Sequence, residues 1–362
     1  MKLFAPLSRL IGLGPASRHY QSPECRPQGE IGAGTHGLDG VPTLLRYLAA
    51  SALVAFLATY VFLPWLIKNL RGTTAVGKDL NKPGKPLVPE MGGLGVMLGF
   101  YIGVTLLVVA SAPPDAPSRP YFYPALLASL GAGVVGLLDD MFGLRRRTKA
   151  VLPFFLAVPL GAAVYATGDT YILGMNLGIL MVLAVAFGVT SAANAANMLE
   201  GLNGLGGGLT IIMTTTLIVL SYIVGSSEGV FLLFPLLGSL TAFLWYNRYP
   251  ARVFPGDSMT LFAGATIASA AIVSSPSMKT LGAILFLPMI LEFLLKTRGR
   301  FRAENYGQPD TKGKLHYAGR IESLTHVVMR NHPMKEWQIV AALWCFEAAI
   351  GAAVVLTVIF WQ

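Results

Sequence analysis

Three groups of residues in this 362-residue chain have the types and spacing that phosphate chemistry asks for. The first is the stretch from Asn247 to Asp257, with Arg248, Tyr249, Arg252 and Phe254 between them, set between two long apolar runs. Pro250, Pro255 and Gly256 stop a helix from continuing through it, so it must be a loop with fixed bends that aims its polar side chains. The second is Asp139-Asp140, followed by Arg145, Arg146, Arg147 and Lys149. Adjacent helical residues point about 100° apart, so the two carboxylates face different neighbours. One can meet a divalent cation and the other a lysine or a substrate, since adjoining acids repel unless cations stand beside them. The third is Asn194, Asn197 and Asn203, with glycines running from Gly204 to Gly208. Asn194 and Asn197 share a helix face, an amide oxygen can ligate Mg²⁺ or Ca²⁺, and a helix opening at the glycines would offer free N–H groups to a pyrophosphate.

Each group also has a plainer reading. Asp257 can cap the helix that follows it, the acid pair can mark the end of a helix, and glycines are common where membrane helices pack closely. Two further loops carry cations. In the first, Lys82 and Lys85 stand among glycines and prolines in a segment that runs from Asp79 to Gly95 through Glu90, and lysines so placed can hold phosphate oxygens or face lipid headgroups. In the last, Arg298, Arg300 and Arg302 alternate, and arginine forks bind phosphate in a bidentate way. Phosphoryl transfer needs this kind of set, a metal and cations around the moving phosphate with little covalent help from the protein.

The elements that must hold these residues are membrane spans. Hydrophobic residues make up 54% of the chain and charged residues 12%, and the mean hydropathy is +0.61, against roughly 25% charged in a soluble domain. A span needs about 20 apolar residues. Ten candidates lie near 43–67, 91–111, 121–138, 151–167, 171–193, 207–225, 229–246, 258–278, 280–295 and 337–361. They lack the alternation of a barrel, so the expected fold is an all-α polytopic membrane protein. Most of the 27 Lys and Arg residues fall in 68–90, 139–150, 247–257 and 296–336. The positive-inside rule therefore puts those segments and 194–206 in the cytoplasm, with both termini outside. The net charge of +9 is concentrated on that face, which suits an anionic lipid or substrate and not nucleic acid. Residues 1–42 form an N-terminal tail outside the transmembrane domain of 43–362. An interfacial helix is expected over 1–13 and a flexible Gly/Pro-rich stretch over 14–42. Cys25 and Cys345 suggest neither a disulfide nor a metal pair. Glu292 and Glu347 lie within spans, where such acids usually face the bundle interior.

Taken in order, Asp139-Asp140 with Lys149, Asn194-x-x-Asn197 with Asn203-Gly204, and Asn247-x-x-Pro250-x-x-Val253-Phe254-x-Gly256-Asp257 resemble the signature loops of the polyprenyl-phosphate N-acetylhexosamine-1-phosphate transferases. The resemblance covers roughly residues 43–361. The Asp79-Leu80-Asn81-Lys82 loop and Tyr249-Pro250-x-Arg252 look closer to the eukaryotic and archaeal branch, which acts on dolichyl phosphate. It implies Mg²⁺-dependent transfer of N-acetylglucosamine-1-phosphate from UDP-GlcNAc to a polyprenyl phosphate, with release of UMP, as the first membrane step of glycan assembly. Mn²⁺ could replace Mg²⁺, and another UDP-N-acetylhexosamine could be the donor. By resemblance, Asn197 and Asp257 ligate the metal, and Asp139 and Asp140 lie beside it and the lipid phosphate. Lys149 holds phosphate, Asn203 and Phe254 hold uridine, Arg298, Arg300 and Arg302 hold the pyrophosphate, and Lys82 and Glu90 also contact substrate. The expected partners are a UDP-sugar, a polyprenyl phosphate and membrane lipid, in a chain that could pair as a homodimer in the cell membrane or endoplasmic reticulum. Two features depart from the pattern: Gly206 stands where the eukaryotic branch has an acid, and 296–336 lacks the bacterial histidine run. The rival class is a secondary transporter, which would put its polar residues near mid-bilayer.

Overall fold

The computed structural model describes residues 40–110, 120–302 and 304–361. The expected tail lies outside the described residues, except that residues 40–42 already belong to the first helix. The spans expected from hydropathy are helices: α1 Gly40–Leu70, α2 Gly93–Ala110, α3 Phe122–Phe142, α4 Arg146–Ala166, α5 Met181–Met198, α6 Leu205–Val224, α7 Val230–Asn247 and α8 Gly256–Ser274. They are followed by α9 Pro276–Leu285, α10 Leu287–Arg298, α11 Leu324–Asn331 and α12 Glu336–Trp361. Among the described residues, nine are long and apolar enough to cross a membrane, and α9 with α10, bent by 53°, would make a tenth.

Two spans differ from expectation. The fifth was expected from residue 171, but Tyr171–Ile172 (β3) and Met175–Asn176 (β4) pair as a hairpin, turned through the left-handed Leu173 and Gly174, and α5 starts only at Met181. Asn176 closes that hairpin by accepting from the Thr170 hydroxyl at 2.8 Å. The ninth is broken after Phe286, because Pro288 has no N–H to carry the ladder across and fits only the first turn of a new helix.

Helix α8 is the axis of the bundle: 15 of its 19 residues are buried, and α3, α5, α2 and α9 all pack on it. Its run of Ser, Thr, Ala and Gly allows close approach, the usual basis of helix packing where lipid removes the hydrophobic drive. Two glycines at these contacts matter most, one on a neighbour and one on α8 itself. A Cβ at Gly136 of α3 would overlap the Asp257 carbonyl, and one at Gly264 of α8 would press on the Ala192 carbonyl of α5 at 2.5 Å. These contacts fix the heights of the last turn of α3 and the end of α5 against the start of α8.

The connections at that end of the bundle interlock. Val76–Lys78 (β1) and Leu87–Pro89 (β2) form an antiparallel hairpin. Its far side is joined to the loop before α8 by Phe254 N–H donating to Pro89 O at 2.7 Å, and by Gly92 and Gly93 donating to Phe254 O and Pro255 O at 2.9 Å each. Gln308–Pro309 (β5), Lys314–His316 (β6) and Met334–Lys335 (β7) form a small three-stranded sheet in the last long loop.

Candidate active site

The loop from Asn247 to Asp257 has the fixed bends its prolines demand. Asn247 ends α7 and anchors the turn, its Nδ2 donating to Val253 O at 2.9 Å while its Oδ1 accepts from Gly204 N–H at 3.0 Å. The Tyr249–Pro250 peptide is cis, and Gly256 takes the left-handed conformation as α8 begins. Arg248 and Arg252 lie over the rings of Trp245 and Tyr246, with centroid distances of 4.0 and 4.6 Å.

Asp139 and Asp140 meet different neighbours, as their helical spacing requires. Asp139 accepts from Lys149 Nζ at 2.7 Å, and the same ammonium is paired with Asp257, so one lysine ties α3, α4 and α8 together. Asp140 turns the other way and accepts from Asp257 N–H at 2.7 Å and Ser258 N–H at 3.1 Å. Asp257 therefore does not cap its own helix; Asp140 caps it from α3 and occupies the positive end of the α8 dipole. This leaves the Asp257 carboxylate facing Lys149 and the cleft.

That cleft, of about 770 Å³, is lined by Lys78, Asp79, Glu90, Asn197, Glu200, Asn203, Phe254, Asp257 and Tyr306, among others. The structure thus brings Glu90, Asn197, Asn203, Phe254 and Asp257 to one surface, with Asp139, Asp140 and Lys149 in contact behind it. Asn194, in contrast, is used within the fold: its amide donates to Ala150 O and Thr190 O and holds α5 to α4. Lys82 does not line the cleft but is paired with Asp79 and with Glu336 at 3.2 Å. Arg298, Arg300 and Arg302 are exposed around the end of α10, outside the lining of the cleft.

Burial shapes the acids of the cleft. Glu90, in the loop after β2, is pushed above the ordinary carboxylate range by burial and by the nearby Asp140 charge. Glu200 is raised to about 7, mainly by burial, although the N–H groups of Gly201 and Gly206 favour its anion. A Cβ on Gly206 would collide with Glu200 Oε2. The N-terminal turn of α6, expected to be open to a pyrophosphate, is therefore faced by the chain's own carboxyl. Position 200 supplies an acid at the place where position 206 lacks one. Tyr306 is raised by burial first and then by Glu304.

Sequence reasoning passed over Glu200, Tyr306, Lys78 and Glu336 as functional residues. Glu336, an acid at the head of a membrane span, was visible as such; Tyr306 carried no local signal. Glu292, whose partners the sequence could not name, accepts from Leu324 N–H at 2.8 Å and Ser323 Oγ at 3.0 Å and so caps α11. Among the described residues, no group of three or more His, Cys, Asp or Glu side chains is arranged to hold a metal on its own. A cation here would need the Asn197 amide, Asp257, water and ligand oxygens, which is the incomplete protein shell that Mg²⁺ commonly accepts.

A second concavity, of about 910 Å³, is almost entirely apolar and lies between α5, α8 and the bent pair α9–α10, lined by residues such as Val185, Ala192, Ala195, Ala271, Ala283 and Phe286. Helices α5 and α8 line both sites. Ala195 lines the groove and Asn197, two residues on, lines the cleft.

With this geometry in view, the comparisons are direct. The sequence profile of glycosyl transferase family 4 matches residues 122–275, the stretch from α3 to the end of α8. A protein of Saccharolobus solfataricus, provisionally named UDP-N-acetylglucosamine–dolichyl-phosphate N-acetylglucosaminephosphotransferase, is 38% identical over 312 residues, covering 84% of this chain and 94% of its own. The protein of that name from Schizosaccharomyces pombe is 29% identical, covering 82% and 76%. A phospho-N-acetylmuramoyl-pentapeptide-transferase of Clostridium botulinum is 29% identical, covering 64% and 74%. The chain belongs to glycosyl transferase family 4, a family of membrane-embedded transferases.

Proposed function

We propose that this protein transfers N-acetylglucosamine-1-phosphate from UDP-N-acetylglucosamine to a dolichyl-type polyprenyl phosphate, releasing UMP. One observation carries the reading: a polar cleft and an apolar groove share two walls, with Asn197 of α5 and Asp257 and Thr260 of α8 in the cleft and Ala195 of α5 and Ala268 and Ala271 of α8 in the groove. A soluble nucleotide-sugar and a membrane-bound phosphate can then meet near Asn197 and Asp257. The names of the relatives supply the substrate class. The concentration of Lys and Arg in the loops at the cleft end supports a cytoplasm-facing site.

In the reaction an oxygen of the lipid phosphate forms a bond to the phosphorus that carries the sugar, and the bond from that phosphorus to UMP breaks. The lipid phosphate, with a second pKa of about 6, is already largely ionised at pH 7, so the chain need not supply a strong base. Its residues position the partners and offset charge. Lys149, held between Asp139 and Asp257, offers one ammonium to phosphate oxygens. Asp140 keeps the first turn of α8 in register, so that the Asp257 side chain stays at the cleft wall. Phe254 provides a ring face for a base, and Asn203 an amide edge. Mg²⁺, held by Asp257 and Asn197, would neutralise the diphosphate and the developing charge on UMP. The acidic lining of the cleft, with Asp79, Glu90, Glu200 and Asp257 against Lys78, accords with a site that takes its anionic substrate together with a cation.

The test is UMP release by the detergent-purified protein given UDP-GlcNAc with polyprenyl phosphate, with Mg²⁺ and then with EDTA. Release that needs the lipid and stops with EDTA is expected. No release from any UDP-N-acetylhexosamine by folded protein would contradict the assignment.

A further inference from the structure

Glu336, in the first turn of α12, lies 133 residues from Asn203 in sequence yet accepts its backbone N–H through Oε1 at 2.7 Å. Its other oxygen, Oε2, accepts from Lys82 Nζ at 3.2 Å, and Lys82 is in turn paired with Asp79. Asp79 Oδ2 then accepts from the Asn203 side-chain Nδ2 at 3.0 Å. The four side chains close a ring that begins and ends on Asn203. Glu336 is 2% exposed, Asp79 3% and Asn203 5%, so the ring works in a low dielectric where each bond is directional and costly to lose.

The ring determines what Asn203 can present. With Nδ2 committed to Asp79, the amide orientation is fixed, and no group among the described residues donates to Oδ1. On a residue that lines the cleft, that oxygen is a preset acceptor for a ligand N–H, such as the imide of a pyrimidine base. Stability alone is a weak reason for such a ring. A buried ion pair can often be replaced by apolar groups of the same volume at no loss, whereas here every charged member also touches Asn203 or a group that does.

We propose that Glu336, with Lys82, is a positioning residue for the nucleotide end of the donor. It fixes the backbone of Asn203 directly and its amide through Lys82 and Asp79. This rests on the reading of the cleft as the nucleotide-sugar site. It also gives Lys82 a role other than direct contact with substrate, and it makes the start of the last span part of the donor pocket.

The experiment is steady-state kinetics of Glu336→Gln, with UDP binding to the same protein measured by calorimetry. Gln keeps an acceptor for the Asn203 N–H but removes the charge that holds Lys82. The KM for UDP-GlcNAc and the Kd for UDP should both rise about tenfold, the equivalent of one hydrogen bond. The kcat should stay within about twofold, and the KM for polyprenyl phosphate should not move. Should the single variant fold poorly, Glu336→Gln combined with Lys82→Met removes one charge of each sign, and the same rise in KM and Kd is expected. Unchanged donor KM and UDP affinity with only a lower melting temperature would make the ring purely structural and overturn the proposal. So would a loss confined to kcat. Asn203→Ala separates the two levels. If it leaves UDP affinity intact, the nucleotide reading of the cleft fails; if it weakens UDP while the Glu336 variants do not, only the positioning claim fails.

Discussion

Asp140 has a structural use that its place in the sequence does not reveal. Its neighbour Asp139 does what an acid beside a lysine should, but Asp140 spends both oxygens on the N–H groups of Asp257 and Ser258. Asp140→Ala leaves two partly buried donors without this partner, a penalty of up to about 1–3 kcal/mol each, and frees the first turn of α8 to shift. We expect kcat to fall about 100-fold, the scale of a 1 Å misplacement at a reacting centre. Asp140→Asn, which keeps one acceptor oxygen, should lose less, and equal losses in both variants would refute the capping role. Glu200 gives a pH dependence whose sign is fixed. Its folded value of about 7 lies above the ordinary 4.5, so the folded state holds the proton more tightly. The resulting stability is fully present below pH 4.5 and is lost as pH rises through 7. Glu200→Gln should flatten the melting temperature between pH 4.5 and 7 relative to the parent protein, as read by intrinsic fluorescence in detergent. An unchanged slope would remove Glu200 as its source.

At the scale of elements, α8 works as a shared wall, and its neighbours touch it through glycine. Gly136→Val puts a side chain into the Asp257 carbonyl. It should cost about 1–3 kcal/mol through overpacking, and it should lower activity further than stability alone explains, because Asp139 and Asp140 ride on the same helix. The groove allows a cleaner separation of substrates. Ala283 lines it and is exposed in the protein alone, so Ala283→Phe can fill the groove without disturbing the core. The KM for polyprenyl phosphate should rise several-fold while UDP affinity stays constant, and a matching loss of UDP affinity would mean that the groove is not a separate acceptor site. These elements were unequally legible. Hydropathy located the helices, and the prolines and glycine before Asp257 located the loop. The hairpin at 171–176 was hidden because Tyr171, Ile172, Leu173 and Met175 read as a continuation of an apolar span. The break at Phe286 has its signal in Pro288, which the unbroken span expected over 280–295 passed over. Nothing in local spacing joins Glu336 to Lys82 and Asn203, since their contact exists only when α12 closes on the loops of the other helices.

For the whole molecule, the fold separates a polar end from an apolar flank and lets two helices, α5 and α8, run through both. The sequence already contained this division, with signature polar residues at the mouths of spans and small apolar residues along them. It could not say which loop residues line the cleft. Arg298, Arg300 and Arg302 looked suited to phosphate by charge alone and lie outside it, while Tyr306 and Glu200 line it unannounced. A transporter would place its polar site at mid-bilayer. Here the deep acid Glu347 is buried, and neither of its oxygens has a hydrogen-bond partner among the described residues, while the polar cleft lies at the loop end of the bundle. The central claim is that this cleft moves a sugar together with its phosphate. The most direct measurement is the fate of label in UDP-GlcNAc carrying ³²P in the β-phosphate, incubated with the purified protein, Mg²⁺ and polyprenyl phosphate. The label should pass to the lipid fraction in equal amount to the unlabelled UMP released. Label remaining with the nucleotide as UDP while the sugar moves, or no transfer to lipid at all, would contradict the account.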